Sequence, residues 1–147
     1  MKDITVILPI HKLDKEYQEM LSKAVESVEQ FHDDVKLFIV GPKNIVGDLT
    51  KEGLSDKLEV SLITNEGQTD FCSQVNLGIE KCDTTWFSIL EIDDEYTPNW
   101  LPSFNKYQSL FEDADVYLPI VKDINSEGKL LSLTNESVWA YGFTENQ

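Results

Sequence analysis

The sequence predicts an α/β protein: a mostly parallel sheet flanked by helices, followed by a C-terminal hairpin. Two observations carry the sheet and one carries the hairpin. Short apolar runs at Ile4 to Leu8, Val35 to Val40, Leu58 to Ile63 and Trp86 to Ile92 read as strands. Segments of helical period or polar turn composition separate them, and strands joined through helices pair in parallel by right-handed crossovers. Near the end, Asn125-Ser126-Glu127-Gly128 reads as a turn between two further strand segments.

The first run stops at Pro9 and suits a strand covered on both faces. From Lys15, Tyr17, Leu21, Ala24, Val25 and Val28 recur at helical spacing, with Asp14 as N-cap and Glu16 in the first turn. The second strand halts at Gly41-Pro42, and a polar stretch containing Gly47 and Gly53 leads to the third. Gln68 to Lys81 reads as a helix carrying Phe71, Val75, Leu77 and Ile79. The fourth strand follows it. After Pro98 a helix bears Trp100, Leu101, Phe104, Leu110 and Phe111 and gives way to a strand from Val116 to Val121, with Lys129 to Leu133 as the returning arm.

The chain has 147 residues and 41% hydrophobic content, enough for one compact domain spanning residues 1–147. No apolar run of membrane-spanning length and no signal-peptide pattern is present, so a cytoplasmic location is expected. Cys72 and Cys82 fall within the predicted fourth-strand approach helix, roughly 15 Å apart at about 1.5 Å per residue, too far for a disulfide. Reduced, half-buried thiols are expected. His11 and His32 are too few and too distant to build a zinc site with them. His32 falls at a helix end, where an imidazolium would interact favourably with the macrodipole.

Twelve basic against 27 acidic residues give a net charge of -15, which excludes nucleic acid as a partner. An anionic nucleotide would be repelled as well, unless a divalent cation locally reversed the potential. The segment Ser88 to Glu95 supplies candidates for such a site. Glu91, Asp93, Asp94 and Glu95 cluster where an apolar strand enters a loop, Glu91 and Asp93 on one side by strand alternation. Hard carboxylate oxygens suit Mg²⁺ or Mn²⁺. In open α/β sheets, ligands bind beyond the carboxyl ends of strands, and this cluster lies at one. The alternative is a solvated acidic loop in an acidic protein.

These segments, taken in order, resemble the family 2 glycosyltransferases. The family opens with an apolar strand ending in Pro, a small residue, an aromatic or His, and Asn; here it is Pro9-Ile10-His11-Lys12. Asn65-Glu66-Gly67 and Asn76-Leu77-Gly78-Ile79 match its Asn-x-Gly and Asn-x-Gly-Ile pair. Glu91-Ile92-Asp93-Asp94 followed by Pro98-Asn99-Trp100-Leu101 matches its metal motif, and Ala114-Asp115-Val116-Tyr117 with Glu127-Gly128-Lys129 matches the segment after it. The resemblance implies a GT-A, Rossmann-like fold that binds a nucleotide-diphospho-sugar through Mn²⁺ or Mg²⁺. It implies that Pro9, Ile10, His11, Asn65, Gly67, Asn76, Glu91 and Asp93 contact the donor, and that Asp93 and Glu91 hold the metal.

Departures from the pattern bear on function. Where active relatives have an Asp-Asp-Gly-Ser-like segment contacting the base, this chain has Val40-Gly41-Pro42-Lys43-Asn44. Lys43 is read as a solvated surface lysine. Val75 stands where the family often has Arg, and Glu91 is one methylene longer than the usual first Asp. An acceptor-side general base is expected well downstream of the metal motif; Glu136 and Glu145 are carboxylates in the remaining stretch, and nothing in their setting singles them out. The chain is then either part of a longer protein or one that does without that base. A second expectation is therefore an inactive GT-A module serving as a subunit of an assembly or virion, with other protein subunits as partners. Trp86, Trp100 and Trp139 read as packing, with a face toward a sugar or a partner as the alternative for Trp139.

Overall fold

The structure, a computed structural model, describes residues 2–135. They fall into two compact units, the first ending at Pro98 and the second beginning at Asn99.

The first unit is built on β1 (Ile4–Pro9), β2 (Val35–Pro42), β3 (Glu59–Asn65) and β4 (Trp86–Ile89), all parallel, in the spatial order β3-β2-β1-β4. Every residue of β1 is buried, as expected of a strand with both faces covered. Ile7 joins Phe38, Val40 and Ile63 in a core cluster against which Leu77 and Ile79 pack. By strand alternation Val6 and Leu8 point to the opposite face, and both are fully buried too. Each such side chain contributes about 1.5–3 kcal/mol of apolar burial.

The helix α1 (Lys15–Glu29) starts where the sequence places it. The Asp14 carboxylate accepts from the Tyr17 backbone N–H at 3.1 Å, and Leu21, Ala24, Val25 and Val28 form the buried stripe. Between β2 and β3, the polar stretch forms two single-turn helices, α2 (Lys43–Val46) and α3 (Lys51–Leu54), the latter capped by Thr50. The next helix, α4 (Phe71–Glu80), is shorter than expected because Asp70 caps it, accepting from the Ser73 backbone N–H at 3.0 Å. The Ser73 hydroxyl, and after it that bond, hold the Asp70 carboxyl below its ordinary range. Cys72 lies off the inward face and is exposed, a correction to the half-buried thiol expected there; Cys82, half-buried, lies beyond the helix. Both are free thiols, and burial of Cys82 is outweighed by hydrogen bonds with Thr5 and Thr84 that favour its thiolate. His32 sits past the end of α1 with Nδ1 3.3 Å from the Asp33 carboxylate.

The fourth strand is expected to run to Ile92 but leaves the ladder after Ile89. The last bond across to β1 is Leu90 N–H to Ile7 O, 2.9 Å. Ile10 donates toward β2, to Val40 O, so the amide position facing β4 at this level is residue 9. Pro9 has no N–H to offer the Leu90 carbonyl, and pairing stops.

In the second unit, α5 (Trp100–Leu110) tolerates Pro102 because it lies within the first turn. The Tyr117 hydroxyl donates to Phe111 O at 2.7 Å, and its ring meets Phe104 edge-on. The next strand begins later than expected, β5 (Ile120–Ile124) rather than Val116, since Pro119 cannot donate to a ladder. It pairs antiparallel with β6 (Leu130–Asn135) across a turn in which Asn125 Oδ1 accepts from Glu127 and Lys129 N–H groups and Gly128 takes φ 79°. The Asp123 carboxyl, held down by the Ser132 and Thr134 hydroxyls, ties the two arms together. Trp86 and Trp100 are half-buried, in keeping with packing roles. Trp139, Glu136 and Glu145 lie outside the described residues.

Two predictions follow from these contacts. A Cβ on Gly78 would approach Cγ2 of the fully buried Ile7 to 2.6 Å. Gly78→Ala is therefore expected to cost about 1–3 kcal/mol in overpacking, more than the roughly 1 kcal/mol gained in helix propensity; urea unfolding should show a lowered midpoint. Separately, Lys36 pairs with Asp83, which lowers the Asp83 pKa and raises that of Lys36. The carboxylate's contribution is present above its unfolded value of about 3.9 and disappears as pH falls through the lower folded one. The lysine's contribution fades only as pH rises above about 10.4. Asp83→Asn should thus destabilise the protein at neutral pH, and denaturation midpoints of variant and parent should converge below about pH 4.

Candidate functional site

Strand order β3-β2-β1-β4 places the first strand of the chain inside the sheet. The connection leaving β1 heads toward β2, while the fourth strand arrives on the other side. Loops at the carboxyl ends of β1 and β4 therefore diverge, which is where open α/β sheets bind ligands. From β1 comes Pro9-Ile10-His11, and from β4 the acidic segment.

Past Leu90 the alternation of the strand persists. Leu90 and Ile92 are buried while Glu91 and Asp93 are exposed, and a turn closed by Asp94 N–H to Glu91 O at 3.0 Å folds the chain back. That turn brings in a third carboxylate. Glu91, Asp93 and Asp94 each present an oxygen within 4.8 Å of the others. Oxygens that share one Mg²⁺ or Mn²⁺ at about 2.1 Å lie no more than roughly 4–5 Å apart, so the donor set fits a hard divalent cation in both chemistry and spacing. Asp94 is a member that strand alternation alone does not supply, because it enters through the turn. Glu95 is exposed outside the group.

The chain leaving this loop is pinned at Tyr96. The Tyr96 N–H donates to the buried Ser27 Oγ at 3.0 Å, its carbonyl accepts from Gln30 Nε2 at 3.1 Å, and its hydroxyl pairs with Ser88 Oγ at 2.6 Å. Burial pushes its phenol well above the ordinary value. The acidic loop is thus held between Leu90 and Tyr96 by groups of α1, β1 and β4.

On the β1 side, Pro9 and Ile10 are buried and His11 is exposed, its ring edge-on to Tyr17 at 5.5 Å. Lys12 lies over the same Tyr17 ring at 4.2 Å. At the end of β3, the Asn65 amide closes a turn: Oδ1 accepts from Gly67 N–H at 3.1 Å and Nδ2 donates to Gln68 O. Asn76 is exposed on α4. Lys43, exposed and 3.7 Å from Glu66, is the solvated lysine expected. The chain's basic residues are all lysines, so no guanidinium is available to a diphosphate.

Sequence reasoning missed Gln74. It is fully buried on the inward face of α4, with Val75 and Gly78 as its neighbours there. Its Nε2 donates to Ile10 O at 2.9 Å and to Thr69 O at 2.8 Å, while Oε1 has no protein partner. A polar residue in an otherwise apolar stripe was the signal.

The model of the family described as "Glycosyl transferase family 2" matches residues 5–147. The chain belongs to glycosyl transferase family 2. Among solved structures, this chain is similar to the crystal structure of S. aureus TarS 1-349, at 10% identity and a TM-score of 0.61. The match covers 88% of this chain and 38% of that one, so the chain spans well under half the length of that structure. No curated protein matches the sequence. The four-stranded parallel sheet flanked by helices, with an antiparallel strand pair after it, is the GT-A fold expected of the N-terminal part of a family 2 glycosyltransferase. Among the described residues, no helix is long and apolar enough to cross a membrane.

Proposed function

We propose that this family 2 domain binds a nucleotide-diphospho-sugar at the diverging ends of β1 and β4, with Mn²⁺ or Mg²⁺ held by Asp93, Glu91 and Asp94. The convergence of three carboxylates within 4.8 Å at that crevice carries the reading. When bound, a divalent cation would neutralise the leaving diphosphate. The remaining roles belong to the chain. Buried Pro9 and Ile10 fix the floor of the nucleoside side, with His11 exposed above it. The Asn65–Gly67 turn shapes the neighbouring rim.

Family membership implies a sugar-nucleotide donor, and the charge balance explains why a cation is needed to receive one: the net charge is -15 and no arginine is present. Position 75 holds Val, and the end of β2 has Pro42 and no acid, so donor affinity would lean on the diphosphate and on a cation held by Glu91, Asp93 and Asp94 more than on the base.

Calorimetric titration with UDP-, GDP- and dTDP-sugars, with and without Mn²⁺, tests this. Binding of at least one donor that strengthens with Mn²⁺ is expected. Asp93→Asn should weaken that binding by about tenfold or more, equivalent to about 1.4 kcal/mol, with the thermal transition kept. No binding in any combination would remove the reading.

A further inference from the structure

Gln74 does something its position in the core does not require. The inward face of α4 is otherwise apolar or small, and Gln74 Oε1 is buried there with no protein partner, a cost that an aliphatic side chain would not carry. Instead the Gln74 amide spends both N–H groups on main-chain carbonyls from two separate segments. Ile10 O belongs to the connection leaving β1, and Thr69 O to the loop leaving β3.

Both carbonyls sit at points where the local backbone is already constrained. Ile10 N–H donates to Val40 O at 2.8 Å, and Gly41 lies so close that a Cβ there would come within 2.9 Å of Ile10 O. The Ile10 peptide is thus wedged between the end of β2 and the Gln74 amide, and His11 follows directly. Thr69 lies between Gln68, held by Asn65 Nδ2, and the α4 cap Asp70. One buried side chain therefore couples the Pro9-Ile10-His11 segment to the Asn65–Gly67 turn. Strained or unsatisfied buried groups concentrate where structure serves a site.

We propose that Gln74 is a positioning residue that locks these two loops in one fixed relation, so that the nucleoside side of the crevice is formed before a donor arrives. The tether is independent of what the crevice holds. Its consequence for donor affinity rests on the nucleotide-sugar reading above.

The test uses the full chain with Gln74→Met, which fills the volume and removes both donors, and Gln74→Asn, which retains an amide one methylene too short to span both carbonyls. Amide hydrogen exchange is expected to rise together at residues 10–13 and 66–70 in each variant, while Val6, Ile7 and Leu8 keep their protection. A rise confined to α4, or one spread evenly over the sheet, would make Gln74 a packing residue only. In the binding arm, affinity for the best of UDP-glucose, GDP-mannose and dTDP-glucose should fall about tenfold. Affinity for Mn²⁺ alone should stay within about twofold, because the tether touches neither Glu91 nor Asp93. Equal losses for nucleotide and metal, or no loss of either, would overturn the positioning role. If none of the three sugars binds the parent protein, the donor reading fails, and the exchange result still decides whether the tether exists.

Discussion

A single absent amide hydrogen sets the geometry of the crevice. β1 is hydrogen-bonded on both edges and buried on both faces, so its course is fixed by the burial of Ile4, Val6, Ile7 and Leu8. On the β2 edge the pairing runs through to Ile10. On the β4 edge it stops at Ile7, because Pro9 has nothing to give the Leu90 carbonyl. β4 is released there, at the point where its sequence turns acidic. The carboxylates owe their place beside the sheet to a proline on another strand.

Burial and hydrogen bonding must then hold three like charges near one another. Glu91, Asp93 and Asp94 repel, and within the loop the turn from Asp94 N–H to Glu91 O draws them together. Further restraint comes from the flanks: Leu90 and Ile92 are anchored in the core, and Tyr96 is fastened to Ser27, Gln30 and Ser88. A loop constrained at both ends loses less conformational freedom when it closes around an ion, which is the physical content of preorganisation. The Gln74 amide restrains the Ile10 and Thr69 carbonyls in a comparable way.

Much of this was legible in the residues. Apolar runs and the Asp14 cap gave β1, α1 and β2 nearly to the residue, since these elements are specified locally and by burial on both sides. Asp93 and Glu91 were legible from composition at a strand end, and the ordered motifs gave the family. What escaped the sequence depends on a partner elsewhere in the chain. The early end of β4 needs Pro9, and the late start of β5 turns on Pro119, whose effect was readable but competes with the apolar Val116-Tyr117-Leu118. Asp94 joins the cluster through a turn, and Gln74 acts through carbonyls of Ile10 and Thr69, which no side-chain pattern announces. Cys72 was misplaced because a helix of ten residues has only a narrow inward stripe, here Gln74, Val75 and Gly78.

The register of β1 against β4, with Ile4 opposite Trp86, has a consequence for how the chain emerges during synthesis. Translation proceeds at about 5–20 residues per second, so for several seconds the most apolar strand has one partner and one bare edge. A chain folded only as far as β1, α1, β2 and β3 would expose that edge to other nascent chains until α4 has crossed over and Trp86 to Ile89 can dock. Gly78 is what lets α4 lie directly on Ile7 once that crossing is made.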